Sequence, residues 1–360
     1  MDRRSFLKNT TLGGAAAGAA TLAAPAYAQG KRTLTMVTTW GRGLAGVHDS
    51  AQRVADSITG MSDGQLTVDL KAAGELVGAF EVFDAVTSGQ ADMYHGADYY
   101  FVGQHPGYAY FSSVPFGMTA QELANWYYHA GGQELHDELG QIFGLKSFLS
   151  GNTGGQPGGW FRNEIKGPED FQGLKFRMPG LGGQALGKMG ASVQNLPGAE
   201  VYQALSSGAI DGTEWVGPWS DEKAGFQEIT KFYYTAGFHE PGSGNSVATN
   251  RDVFESLTPA QQLIIERAGA ETHQWNLSQY MHQNGAALKR LQAAGVQALE
   301  FPDSVWDAFG AASREVTEEN MGDELFARIH NSAMESMASS SQWISLSEGV
   351  YRTQRDRVMG

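Results

Sequence analysis

Two short stretches hold residues that could do chemistry together. In GLKFRMPG, residues 173–180, a single arginine stands between Phe176 and Met178 on an apparent strand, so the Arg177 side chain points opposite to theirs. In GAIDGTEW, residues 208–215, another apparent strand ends at Glu214 and Trp215. A guanidinium on a rigid strand offers two parallel N–H donors to a carboxylate. The plain alternatives are a solvated strand arginine or an ion pair between Arg177 and Glu214. If Arg177 grips an anion, an acid at the same place repels that anion unless a cation intervenes. Oxygen ligands from Glu214, a glutamine side chain and a backbone carbonyl suit a hard ion such as Na+ or Ca2+. The candidate glutamine is Gln156 in NTGGQPGGW, where glycines let the backbone approach a ligand closely.

Other chemistries find little support. The chain has no G-x-S-x-G, H-E-x-x-H or P-loop, and no G-x-G-x-x-G following a strand. Its nine histidines are scattered; His95, His105, His129, His136 and His239 show no metal-ligand spacing, and His129 and His136 read as surface or helix-end residues. With no cysteine, thiolate metal sites, iron–sulfur clusters and cysteine nucleophiles are excluded. A formal net charge of −14 argues against binding nucleic acid or anionic lipid through bulk charge, so an anion must be caught by local basic groups. Aromatic groups beside glycine and proline, at 99–101, 160–161 and 215–219, read either as core or as the walls of a small chamber.

The elements that must position these residues alternate. RTLTMVTTW reads as a strand, a helix follows over 48–59, then a strand in QLTVDLKAAGEL, a helix in AFEVFDAVTSG and a strand in ADMYHG. This alternation predicts an α/β lobe, and the chain length calls for two. Thr119 with Glu122, and Thr258-Pro259 with Gln261, are helix-start signals. A helix from Pro259 to Ala294 would be about 54 Å long, enough to cross both lobes. Shorter helices are predicted over 183–189 and 199–207. DAVTSGQADMYHG and QALSSGAIDGTEW match in pattern, which predicts that Tyr94-His95 and Thr213-Glu214-Trp215 hold corresponding places in the two lobes. The fold class is therefore a two-lobed α/β cleft protein with a long helix spanning both lobes and C-terminal helices. One lobe takes residues 29–152 and about 242–280; the second takes 153–241 and about 281–302; helices follow over 303–360.

Residues 1–28 read as an export signal. Paired arginines in DRRSFLK, a Gly/Ala-rich middle and the ending Ala26-Tyr27-Ala28 fit twin-arginine export and a periplasmic location.

LKAAGEL, AVTSGQADMYHG, PEDFQGLKFRMPG, LPGAEVYQALSSGAIDGTEW and the long helix after LTPAQQ together resemble the solute-binding proteins of tripartite ATP-independent periplasmic (TRAP) transporters, over essentially the whole mature chain. The resemblance implies a cleft that closes on a small organic acid anion and hands it to the TRAP membrane permease, with no catalysis. It places Arg177 on the family's carboxylate-gripping arginine. Dicarboxylate and sialic-acid members carry Asn-Pro after the glutamate; here Trp215-Val216-Gly217-Pro218 follows, which resembles instead the branch binding 2-oxo and 2-hydroxy monocarboxylates with a metal ion. By that resemblance Gln156 and Glu214 supply side-chain oxygens and Trp215 its carbonyl to a bridging Na+ or Ca2+. Tyr99 or Tyr100 and Asn152 add hydrogen bonds, Trp160 walls the alkyl end, and the C-terminal helix is a candidate homodimer element. The expected ligand is a 2-oxo acid, pyruvate or longer. The alternatives are a 2-hydroxy acid such as lactate with calcium, and an exported enzyme acting on small organic acids.

Overall fold

The computed structural model describes residues 30–360. The export signal expected over residues 1–28 lies outside them. Eleven strands, here β1 (Arg32–Thr38), β2 (Leu66–Lys71), β3 (Met93–Gly96), β4 (Leu145–Asn152), β5 (Gly159–Phe161), β6 (Lys175–Arg177), β7 (Ser192–Gln194), β8 (Gly212–Thr213), β9 (Phe232–Tyr234), β10 (Gly244–Asn250) and β11 (Gln297–Leu299), form two sheets. The first runs β2-β1-β3-β10-β4 and the second β11-β9-β5-β8-β6-β7. Each sheet is the centre of one lobe, with helices on its faces.

The two lobes repeat one plan. In the first, β1 is flanked by parallel β2 and β3; in the second, β6 is flanked by parallel β7 and β8. A helix precedes each third strand, Val82–Thr87 before β3 and Gly198–Ser207 before β8. Gly89 and Gly208 follow these helices with φ of 78°, a value glycine adopts without a Cβ penalty. The next aspartate then hooks the central strand. Asp92 Oδ2 accepts the Thr35 N–H at 2.7 Å, and Asp211 Oδ2 accepts the Lys175 N–H at 3.0 Å. The matched pattern in the sequence is thus a matched structure, and His95 and Glu214 occupy corresponding points just where β3 and β8 end or have ended.

Four connections join the lobes, the last being the turn from helix Asp303–Asn320, packed on the second lobe, to helix Glu324–Ile344, packed on the first. Residues 153–158 leave β4 for β5, and residues 235–243 leave β9 for β10. They pair through Thr153 N–H to Ser243 O at 3.0 Å, Gln156 N–H to Glu240 O at 2.9 Å and Gly237 N–H to Gln156 O at 2.8 Å. The third connection is the helix Pro259–Ala293, capped at Thr258 by the Gln261 side chain as its sequence predicts. It packs on β4 and on helix Val47–Met61 of the first lobe, then on helix Pro218–Ala224 of the second.

Some local readings need correction. The strand expected over residues 65–76 stops at Lys71, because Glu75 Oε2 takes the Ala72 N–H and turns the chain. The helix expected over 183–189 begins at Gly180 and ends at Lys188. His136 is not a surface residue: it is fully buried, stacked on Phe111 at 3.9 Å and 3.2 Å from Asp98. The tail forms helices Asp303–Asn320 and Glu324–Ile344, and the latter continues through a π-helical turn into Val350–Met359. No residue beyond Ala333 is buried; Trp343, Leu346 and Tyr351 are each more than 60% exposed.

Candidate functional site

Arg177 ends β6 and Glu214 immediately follows β8, the neighbouring parallel strand, so the register brings the two side chains together. The Glu214 N–H donates to the Arg177 carbonyl at 3.3 Å. Phe176, one residue earlier on the strand, faces the core and stacks on Phe161 at 4.9 Å, which leaves the opposite face to the guanidinium. Arg177 is 1% exposed. Its Nη1 pairs with Glu214 Oε1, its Nε donates to Leu196 O at 3.0 Å, and its Nη2 reaches the Tyr100 hydroxyl at 3.4 Å. The guanidinium also lies 5.4 Å from the Trp215 ring. Burial acts to lower the pKa of Arg177, but Glu214 and the two neighbouring tyrosines act against it, and the net shift is upward.

Gln156 and Glu240 arrive on the paired interlobe connections. The Gln156 amide donates to Thr153 Oγ1 at 3.0 Å, and its Oε1 has no partner among the described residues. Glu214 Oε2 and Glu240 Oε2 are likewise buried and unpartnered. His239 stands beside them, with Nε2 3.7 Å from Glu214 Oε2. Ligand atoms of Glu214, His239 and Glu240 lie within 4.8 Å of one another. Burial, then the proximity of Glu214, pushes the Glu240 carboxyl well above its ordinary range. Two buried carboxyl groups therefore face one guanidinium, and three oxygen atoms lack a donor. Three unpartnered oxygens, one of them on the Glu214 carboxylate, fit a hard cation, so the residues present accommodate Na+ or Ca2+.

Tyr99, Tyr100, Gln156, Arg177 and Trp215 line one cavity with a volume of about 10 Å³, the size of about one water. Trp40 and Asn245, which sequence reasoning missed, line it too. Trp40 is held by His95, whose Nδ1 accepts its indole N–H at 3.0 Å, and Asn245 sits where the β4–β10 register shifts. A larger cavity of about 500 Å³, with Phe116, Phe238, Leu288 and Trp306 in its walls, touches Gln156 but contains no charged residue and cannot compensate an anion.

Three expected site residues are not in the cavity wall: Glu214, which meets it through its pair with Arg177, and Trp160 and Asn152. Trp160 does not wall it: its indole N–H donates to Asp221 Oδ2 at 2.9 Å, and its ring packs on Tyr233 at 4.3 Å inside the second-lobe core. Asn152 is fully buried at the end of β4, where Oδ1 accepts the Gly154 N–H at 2.8 Å and Nδ2 has no partner among the described residues. The glycines near Gln156 also act differently from expectation. Gly159 has a φ of 118°, and a Cβ there would lie 2.5 Å from Thr213 O. The close approach it permits is to the backbone that carries Glu214. His239, Glu240 and Asn245 were missed although HEPGSGN resembles NTGGQPGGW in composition, polar residues among glycine and proline, and that was the signal available.

Residues 40–323 match the family model DctP, the bacterial extracellular solute-binding proteins of family 7. The chain belongs to this family. It is a TRAP solute-binding protein, a periplasmic receptor and not an enzyme. It is 38% identical over 325 residues to a monocarboxylate 2-oxoacid-binding periplasmic protein of Nostoc, covering 85% of this chain and 89% of that one. A TRAP solute-binding protein of Pseudoalteromonas atlantica, solved with sodium and pyruvate, superposes with a TM-score of 0.87 at 37% identity, over 90% of this chain and 99% of that one. Another from Bordetella bronchiseptica, a dimer with copurified calcium and picolinate, gives 0.89 at 29% identity, over 92% and 98%. No helix among the described residues of this TRAP protein is long and apolar enough to cross a membrane.

Proposed function

We propose that this protein captures a small 2-oxo monocarboxylate, pyruvate or a longer homologue, and delivers it to a TRAP permease. The observation that carries the reading is the buried Arg177–Glu214 pair, surrounded by the unpartnered oxygens of Gln156, Glu214 and Glu240. In this reading Arg177 exchanges Glu214 for the ligand carboxylate, and its fixed fork supplies orientation. Gln156, Glu214 and the Trp215 carbonyl would hold a Na+ or Ca2+ ion, which would supply charge compensation for the bound acid. Tyr100 brings its hydroxyl to the guanidinium from the first lobe, where it accepts from Arg177, Tyr99 lines the same wall, and Asn152 offers a buried amide N–H with no other partner among the described residues. The 2-oxo acid and sodium–pyruvate binding of the two relatives support this ligand class.

The domain division at residues 152–153 and 241–242 belongs to the same reading, since the chain changes sheets on these connections. So does a homodimer built on the exposed end of the C-terminal helix, which the dimeric Bordetella relative supports. The Arg-Arg pair and the small-residue ending at Ala28 support twin-arginine export.

Thermal melting of the mature protein against small acids, with and without EDTA, tests the reading. Ligand at 100 times its Kd adds about 2.7 kcal/mol. A rise with pyruvate or longer 2-oxo acids is expected; its loss in EDTA points to calcium, and its persistence leaves sodium, which a melt in sodium-free buffer then tests. A shift with lactate alone moves the assignment to a 2-hydroxy acid. A shift only with a dicarboxylate overturns the cation-bridged site.

A further inference from the structure

Asp221 joins the three chain segments that carry Trp215, Gln156 and Glu240. It is buried on the short helix Pro218–Ala224 with 1% exposure. Its Oδ1 accepts the N–H of Val216 at 3.1 Å and of Gly217 at 2.9 Å, the two residues directly after Trp215. Its Oδ2 accepts the Trp160 indole N–H at 2.9 Å and the Tyr233 hydroxyl at 3.1 Å. Trp160 lies on β5, just beyond the connection that holds Gln156. Tyr233 lies on β9, just before the connection that holds Glu240.

The two amide bonds alone would be an ordinary way for an acid in the first turn to tie down the residues just ahead of its helix. The other two are not needed for that purpose. They come from separate strands, and they fill the second oxygen of a carboxylate whose first oxygen is already satisfied. Four donors on one buried carboxylate leave it no freedom to turn. Trp160 and Tyr233 are further fixed by packing on each other at 4.3 Å.

We infer that Asp221 is a positioning residue for the cation site: through Val216 and Gly217 it sets the direction of the Trp215 carbonyl, and through Trp160 and Tyr233 it holds that carbonyl in register with Gln156 and Glu240. This rests on the cation reading given above. Cation ligands must converge within a few tenths of an ångström, and loss of an outer partner typically costs 10–100-fold in metal affinity.

The experiment measures pyruvate binding by calorimetry as a function of Na+ and Ca2+ for wild type, Asp221→Asn and Tyr233→Phe, each checked for a cooperative melt. Expected is a rise of about 10-fold or more in the cation concentration for half-maximal binding with Asp221→Asn, and a smaller rise with Tyr233→Phe. Pyruvate affinity at saturating cation stays within about 3-fold of wild type, which distinguishes positioning from general loosening. An unchanged cation midpoint in both variants overturns the inference, as does a fall of saturated affinity in step with the midpoint. If Asp221→Asn does not fold, Tyr233→Phe decides, since it removes one hydroxyl and keeps the ring. A wild type that binds pyruvate regardless of either cation brings down the cation reading and this inference together; a cation-dependent wild type with unshifted variants brings down this inference alone.

Discussion

Arg177 and Glu214 form an ion pair in which both side chains are 1% exposed, across two neighbouring parallel strands. Removing one partner of such a pair leaves an uncompensated buried charge, at a cost of about 3–5 kcal/mol. Arg177→Lys keeps the charge and loses the two-pronged geometry. Its pyruvate affinity is expected to fall about 10- to 100-fold, the value of one to two charge-assisted bonds, while the protein still melts cooperatively. Calorimetry with Arg177→Lys at wild-type affinity would remove the arginine from the site.

Acid should remove the stabilisation of two buried histidines. Burial pulls His95 down to about 3 and His273 to about 4 from an ordinary 6.5. A depressed folded pKa means that both stay neutral in the folded protein while the unfolded chain binds protons below 6.5. Their stabilisation is present above pH 6.5 and is lost as pH falls toward 4 and 3. At pH 5 each costs about 2 kcal/mol. Asp221 works in the opposite sense: burial raises it to about 6, so its contribution grows as pH falls through 6 and offsets part of the loss. Burial and Glu214 also raise the Glu240 carboxyl, which acts in the same sense as Asp221, so the histidine loss is read by comparison: between pH 7 and pH 5 His273→Gln should lose less stability than wild type. An equal drop in wild type and variant would refute the assignment of His273.

Gly198 makes room for the Trp215 indole. A Cβ there would lie 2.1 Å from the Trp215 ring. Gly198→Ala is therefore expected to displace the indole, change its fluorescence, cost about 1–3 kcal/mol of stability and weaken ligand binding. Unchanged emission and affinity would show that the ring moves aside freely.

Deleting residues 340–360 should leave the lobes and ligand affinity intact, because nothing past Ala333 is buried. If the helix end joins two copies, light scattering will report a dimer for the mature chain and a monomer for the shortened one. A dimer in both would place the interface elsewhere.

The parts of this protein encoded by neighbouring residues were legible in its sequence. Thr258 and Gln261 are three apart and cap the long helix as they must. The repeated Ser-Gly and aspartate pattern marked equivalent turns, because the αL glycine and the hooking aspartate are local requirements. Trp160 was misplaced because its partner, Asp221, is 61 residues away and an indole after two glycines does not disclose who receives its N–H. Glu240 and Asn245 escaped notice for a similar reason. Their place beside Gln156 follows from backbone pairing of two distant connections, and the second-lobe strands of two or three residues are too short to show alternation.

The division of labour between the lobes bears on how cargo leaves. Arg177, Glu214 and Trp215 stand on the second lobe, and the first offers the guanidinium only a tyrosine hydroxyl, at 3.4 Å. Swinging the lobes apart at that contact separates a hydroxyl from a cation and never an anion from a cation. The strong electrostatic bonds thus travel with one jaw, and the gap through which an acid departs opens along the weakest seam in the cavity.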